Sequence, residues 1–185
     1  MKNSRTRNMI LCALFVALII IGAYIKIPIP YVPFTLQFLF VMMAGLLLGP
    51  KWGTMSVCIY ILLGLIGVPV FTSGGGPSYV LQPTFGYIIG FAVGAFATGK
   101  IAHAVPKPDI KRLLIADFVS LLIVYFFGTL YFFLIKNVFI PGETLIPIKT
   151  VIMSCVLLPI PGDILLCVLS AFIGKRLIPV INKAN

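Results

Sequence analysis

The sequence predicts an all-α integral membrane protein, one compact bundle of six transmembrane helices with both termini cytoplasmic. Three observations predict it. The chain is 61% hydrophobic and only 10% charged, with a mean hydropathy of +1.16, too little polar surface for a soluble domain. Several apolar runs reach the roughly 17–25 residues that cross a bilayer as a helix. The basic residues gather in particular loops: eleven of the fourteen Lys and Arg fall on one side of the resulting topology, and only Lys26, Lys136 and Lys149 on the other. The positive-inside rule makes the first side cytoplasmic. The net charge of +10 therefore reads as membrane orientation and not as nucleic-acid binding, because no basic stripe forms. The 185 residues make a single domain, 1–185.

The first span is predicted from about Asn8 to Tyr24 or Lys26. Its Lys2, Arg5 and Arg7 followed by an apolar run are reminiscent of a signal peptide, but no clear small-x-small cleavage site follows. Within it, Ala13 and Ala17 form a small-x-x-x-small pair, which lets a second helix approach closely; internal packing and a docking face fit the motif equally. The alternate prolines of Ile27–Pro33 forbid regular helix and predict an extended outer cover. Span two, about Phe34 to Leu48, opens on Thr35 and Gln37, polar groups at the head of an apolar helix that cap it or touch a ligand. Gly49-Pro50-Lys51-Trp52-Gly53 predicts a tight turn, and span three runs from about Thr54 to Val68.

A triple glycine, Gly74-Gly75-Gly76, follows, with Tyr79 and Gln82 beyond it. It lacks the Gly-Lys-Ser/Thr ending of a phosphate loop and has no basic residue, so it suits closure over an uncharged, partly apolar ligand; a flexible connector is the plainer alternative. Span four, about Thr84 to Ala104, carries Gly86, Gly90 and Gly94 as a smooth ridge for close packing, with Tyr87 one turn below the loop. Span five runs from about Leu113 to Ile135. Its Asp117 is expected to pair with Lys111 and Arg112 near the interface. Pro141-Gly142-Glu143 predicts a turn, and Thr144–Leu157, short for a span, an outer helical segment. The last span starts near Pro161, a residue suited to a first helical turn. Asp163 falls in that turn, where the positive helix end favours a carboxylate. Acidic residues number only four, and a carboxylate inside a span costs roughly 2.5–3.5 kcal/mol on insertion scales, so Asp163 is expected to have a role.

Other functions are poorly supported. There is one histidine, no His-Glu-x-x-His, no Gly-x-Ser-x-Gly and no paired carboxylates at helical spacing, so neither an enzyme nor a metal site is expected. Cys12, Cys58, Cys155 and Cys167 lie in apolar runs without Cys-x-x-Cys spacing and read as small buried hydrophobes. No ATP-binding motif and no string of intramembrane acids is present, so energy for moving a solute would come from elsewhere. On the outer side the polar groups Thr35, Gln37, Tyr79, Gln82, Thr84, Tyr87 and Asp163 are expected at similar depth, with apolar walls between them. That is the usual composition of a small-molecule pocket.

The run Ile29-Pro30-Tyr31-Val32-Pro33-Phe34-Thr35-Leu36-Gln37 resembles the BioY family, as do Ala44–Pro50, Gly64–Phe71, the triple glycine, Pro83–Phe91 and Pro161-Gly162-Asp163. These are the biotin-specific S components of energy-coupling factor (ECF) transporters. The resemblance covers nearly the whole chain in order. It implies a six-helix bundle and high-affinity capture of biotin, a transported ligand and not a cofactor, on the outer side. It also implies docking in the membrane lipid through Ala13 and Ala17 onto a transmembrane coupling protein, itself driven by two cytoplasmic ATPase subunits. Phe34, Thr35, Gln37, Gly75, Gly76, Tyr79, Gln82, Thr84, Tyr87 and Asp163 are the expected ligand contacts. Relatives often carry a lysine three residues after the motif aspartate; here that position is Leu166, so either Lys26 or Lys149 on the outer side supplies charge in its place, or Asp163 is held less firmly. A component for thiamin or riboflavin, or an assembly protein without a ligand, is the alternative.

Overall fold

The computed structural model describes residues 2–29, 31–139 and 145–183. Its helices are α1 (Lys2–Tyr24), α2 (Gln37–Leu65), α3 (Phe85–Ala102), α4 (Ile110–Leu134), a short α5 (Ile148–Ile152) and α6 (Ile160–Lys183). Strands β1 (Lys26–Ile27) and β2 (Phe34–Thr35) pair antiparallel, with Lys26 opposite Thr35. Five helical runs among the described residues are long and apolar enough to cross a membrane: Arg5–Tyr24, Gln37–Leu65, Phe85–Ala102, Ile110–Phe139 and Ile148–Ile181.

The predicted five-residue turn at Gly49–Gly53 shrinks to one residue. Gly49 alone is non-helical, at φ 77° and ψ −178°, and Pro50 already belongs to the helix that follows. A side chain is strained at that φ, and proline fits a helix start. The chain reverses there. A Cβ on Gly53 would lie 2.6 Å from the Ala44 carbonyl oxygen, whereas nine residues of unbroken helix would separate them by about 13 Å. Span three ends earlier than expected, at Leu65. The proline-rich cover is not merely extended: its flanks zip into the β1–β2 ribbon.

The glycine ridge of α3 packs as its spacing predicts. A Cβ on Gly86 would meet Tyr131 and Phe127, one on Gly90 the Val124 Cα at 2.9 Å, and one on Gly94 the Ser120 Oγ at 2.5 Å. These contacts descend α4 as α3 ascends, so the two helices are antiparallel and nearly touch backbone to backbone. On the other side of α3, Gly99 approaches the Gly49–Pro50 backbone. Helix α1 packs on α2, and α6 closes the bundle against α2 and α4. Arg7 Nη1 donates to the Ile181 carbonyl oxygen at 3.2 Å, so the beginning of α1 and the end of α6 lie at the same end of the bundle.

Three sequence expectations change. Asp117 does not pair with Lys111 or Arg112; it is fully buried, and neither carboxylate oxygen has a hydrogen-bond partner among the described residues. Five or six residues along a helix is about 140° or 240° of rotation, which turns these side chains away from one another. Cys58 is exposed, while Cys12, Cys155 and Cys167 are buried as expected. The expected outer segment is α5 followed by a π-helical stretch, Met153–Leu157, that runs through Leu158-Pro159 into α6. The predicted turn at Pro141-Gly142-Glu143 lies outside the described residues.

Gly90→Val places its side chain against the Val124 backbone, which has no rotamer with which to yield. We expect destabilisation of about 1–3 kcal/mol, the usual cost of overpacking, read as a lowered thermal midpoint in detergent.

Candidate ligand-binding site

Of the polar groups predicted to converge, all but Gln82 do so, at the end of the bundle opposite the start of α1 and the end of α6. They surround a partly enclosed cavity that opens at that end. Its roof is the β1–β2 ribbon and the loop after α2. The Phe34 ring lies over Gly162, where a Cβ would come within 2.5 Å of it, so the glycine preceding Asp163 makes room for the ribbon. The loop is tied down by backbone bonds: Gly76 N–H donates to the Gly64 carbonyl at 2.7 Å, and Phe71 and Gly74 bridge each other. The Phe71 ring lies over Gly64 and against Tyr79, with ring centroids 4.4 Å apart. The Tyr79 hydroxyl lies 3.1 Å from Thr72 Oγ1.

Among the described residues, Asp163 is the only charged side chain in the cavity wall. It sits in the first turn of α6, 8% exposed, and its Oδ2 accepts a hydrogen bond from the Tyr125 hydroxyl of α4 at 2.6 Å. Gln37 and Tyr60, from the two halves of α2, both line the cavity. Neither the Gln37 Nε2 nor the Tyr60 hydroxyl has a partner among the described residues. An unpaired buried donor is costly, so these two await an acceptor. The remaining wall is apolar and aromatic, with Phe34, Phe38, Phe91, Leu121 and Val124 prominent. The arrangement can hold a compact, mostly apolar molecule by one acceptor and two donors, and it contains no nucleophile–base pair.

Of the predicted contacts, Phe34, Thr35, Gln37, Tyr79, Thr84, Tyr87 and Asp163 line the cavity. Gly75, Gly76 and Gln82 do not. Gly75 packs on the Val68 carbonyl, where a Cβ would come within 2.2 Å; Gly76 takes φ 113° to turn the loop; Gln82 is exposed. The glycines thus shape the loop that carries Thr72 and Tyr79. Tyr87 is anchored, because its hydroxyl donates to the Cys155 carbonyl in the π-helical stretch at 2.8 Å and its ring lies against Gly128. Sequence reasoning missed Tyr60, Thr72 and Tyr125. Tyr60 and Tyr125 lie in apolar spans, where a tyrosine is not distinguished from a core aromatic, and Thr72 lies in the loop after α2. Lys26 Nζ donates to the Thr72 carbonyl at 2.8 Å, Lys149 is exposed on α5, and Leu166 is buried. Ala13 and Ala17 are both exposed on the outer face of α1, between the inward-facing Cys12 and Val16.

The BioY family model matches residues 1–183. The chain belongs to the BioY family. It is 41% identical over 184 residues to a probable biotin transporter BioY of Lysinibacillus sphaericus, covering 100% of this chain and 93% of that one. It is 35% identical to a biotin transporter BioY of Lactococcus lactis subsp. cremoris, over 95% and 93% of the two chains. A crystal structure of the S-component for biotin from an ECF-type ABC transporter superposes with a TM-score of 0.81 at 33% identity, covering 96% of this chain and 93% of that one. BioY is a family of transporters and not of enzymes, and this member is a multi-pass protein of the bacterial cell membrane.

Tyr87→Phe removes the donor from the buried Cys155 carbonyl. We expect a loss of about 1–3 kcal/mol in stability, the cost of stranding a buried acceptor, seen as a lower thermal midpoint with the helical circular dichroism unchanged.

Proposed function

We propose that this protein captures biotin in the cavity under the β1–β2 ribbon and delivers it inward as the S component of an ECF-type ABC transporter. The observation that carries the reading is Asp163, a lone carboxylate in an otherwise uncharged aromatic cavity, held by Tyr125. The ureido ring of biotin offers two N–H donors and one carbonyl acceptor. Asp163 accepts from the N–H groups in a charge-assisted bond, stronger than a neutral one. The unpaired Gln37 Nε2 and Tyr60 hydroxyl serve the carbonyl. Phe34, Tyr79 and Phe91 enclose the thioether ring and the valeryl chain, with Thr35, Thr84 and the anchored Tyr87 completing the wall. Biotin leaves chemically unchanged, so it is cargo and not a cofactor.

The topology of this reading has six spans, with both termini cytoplasmic. The reversal at Gly49 supports reading α2 as two crossings, and the Arg7–Ile181 contact supports an even number of crossings in all. The halves of α2 are about 18 and 24 Å long, short of a 30 Å hydrocarbon core, and the ribbon and glycine loop cover the difference on the outer side. The exposed Ala13 and Ala17 offer a flat strip on α1 to the transmembrane coupling protein, whose energy comes from two cytoplasmic ATPase subunits.

Calorimetric titration of biotin into the purified protein tests the site. Asp163→Asn keeps the shape and removes the charge, so binding weakens roughly 10- to 100-fold, the worth of a hydrogen bond to a charged group. Unchanged affinity would return Asp163 to a structural role, and no binding by the unaltered protein would overturn the reading. Separately, Ala13→Trp combined with Ala17→Trp abolishes co-purification with the coupling protein, whereas biotin affinity of the isolated subunit serves as the folding control.

A further inference from the structure

We propose that Lys26 is the residue that selects for a carboxylate on the ligand, meeting it at the mouth of the cavity. The inference rests on the biotin reading above. Among the described residues, Asp163 is the only charge in the cavity wall, and no cationic side chain lines it. A carboxylate-bearing ligand bound with its polar ring at Asp163 must turn its own negative charge away from that end. The position one turn beyond Asp163 supplies no cation, because it holds Leu166, 4% exposed within the core.

Lys26 reaches the mouth in two independent ways. It stands directly opposite Thr35 in the β1–β2 ribbon, and residues directly opposite on antiparallel strands share a face. Its Nζ also crosses to the loop after α2 and donates to the Thr72 carbonyl at 2.8 Å. Thr35 and Thr72 both line the cavity. An ammonium has three donors, so one tie to Thr72 leaves two for a carboxylate. Of the other two cations on this side, Lys149 is exposed on α5 and Lys136 lies in the π-helical stretch after α4, whereas Lys26 alone of the three is tied to two residues of the wall, Thr35 and Thr72. The Lys26 side chain thereby joins the two covers of the cavity, and a ligand carboxylate adds a charged partner at that joint.

The test compares biotin with biotinamide, its uncharged carboxamide, on the unaltered protein and on Lys26→Met, Lys26→Arg and Lys149→Met. We expect the unaltered protein to prefer biotin over the amide by roughly tenfold, the scale of a charge-assisted bond partly exposed to water. In Lys26→Met the two ligands should bind alike, through loss of biotin affinity alone. Lys26→Arg should restore most of the preference, and Lys149→Met should keep all of it. Equal weakening of both ligands in Lys26→Met would show that Lys26 only ties the loop to the ribbon and would overturn the proposal. So would a preference that survives Lys26→Met or disappears in Lys149→Met. An unaltered protein that binds biotin and its amide equally would overturn the role of Lys26 alone. One that binds neither would overturn the biotin reading, and this inference with it.

Discussion

The carboxylate that faces the cavity, Asp163, is held by a hydrogen bond from the hydroxyl of Tyr125. The bond joins α6 to α4 at the floor of the cavity and fixes which way the carboxylate points. Around it the ribbon, the loop after α2 and the π-helical stretch all come to one place. Phe34 rests on Gly162, next to Asp163, and Tyr87 of α3 fixes the π-helical stretch that leads into α6. The only charge of the wall among the described residues is thus held by a buried neighbour before any ligand arrives. Such pre-organisation reduces the ordering cost of binding.

The bundle beneath is built on close approach. Between helices in lipid there is little hydrophobic drive, so packing must come from contact between backbones. Gly86, Gly90 and Gly94 let α3 meet α4, Gly99 lets it meet the reversal at Gly49, and Gly53 lets the halves of α2 meet each other. The same device works at the site, where Gly64, Gly128 and Gly162 each leave room for an aromatic ring. Small residues in this chain serve mainly to place large ones. Deeper in the bundle, Asp117, Ser120 and Ser170 are buried, with side-chain oxygens that lack a hydrogen-bond partner among the described residues. They lie apart from the cavity wall.

Much of this was legible in the sequence because the signals were scarce or periodic. Asp163 stood out as an acid in an apolar run, Thr35 and Gln37 as polar groups at a helix head, and Gly86-x3-Gly90-x3-Gly94 as a ridge. Tyr60 and Tyr125 were not legible, since a tyrosine in an apolar span reads as one more core aromatic until its hydroxyl is seen to face a cavity. Gly75 and Gly76 gave a true signal with the wrong meaning: their close approach is to the chain itself, at Val68 and Gly64. Asp117 was misjudged because nearness in sequence was taken for nearness in space. The ribbon was hidden because two-residue strands carry no periodicity, whereas the doubling back of α2 was legible in the Gly49-Pro50 turn signal, only its extent being smaller.

The orientation of the bound vitamin tests the account most directly. A structure of the complex should place the ureido nitrogens about 2.7–3.0 Å from the Asp163 carboxylate, with the carboxylate tail directed to the mouth between Thr35 and Thr72. A ligand bound in the reverse sense, ring outward and tail inward, would contradict it, as would a ligand seated anywhere but under the ribbon.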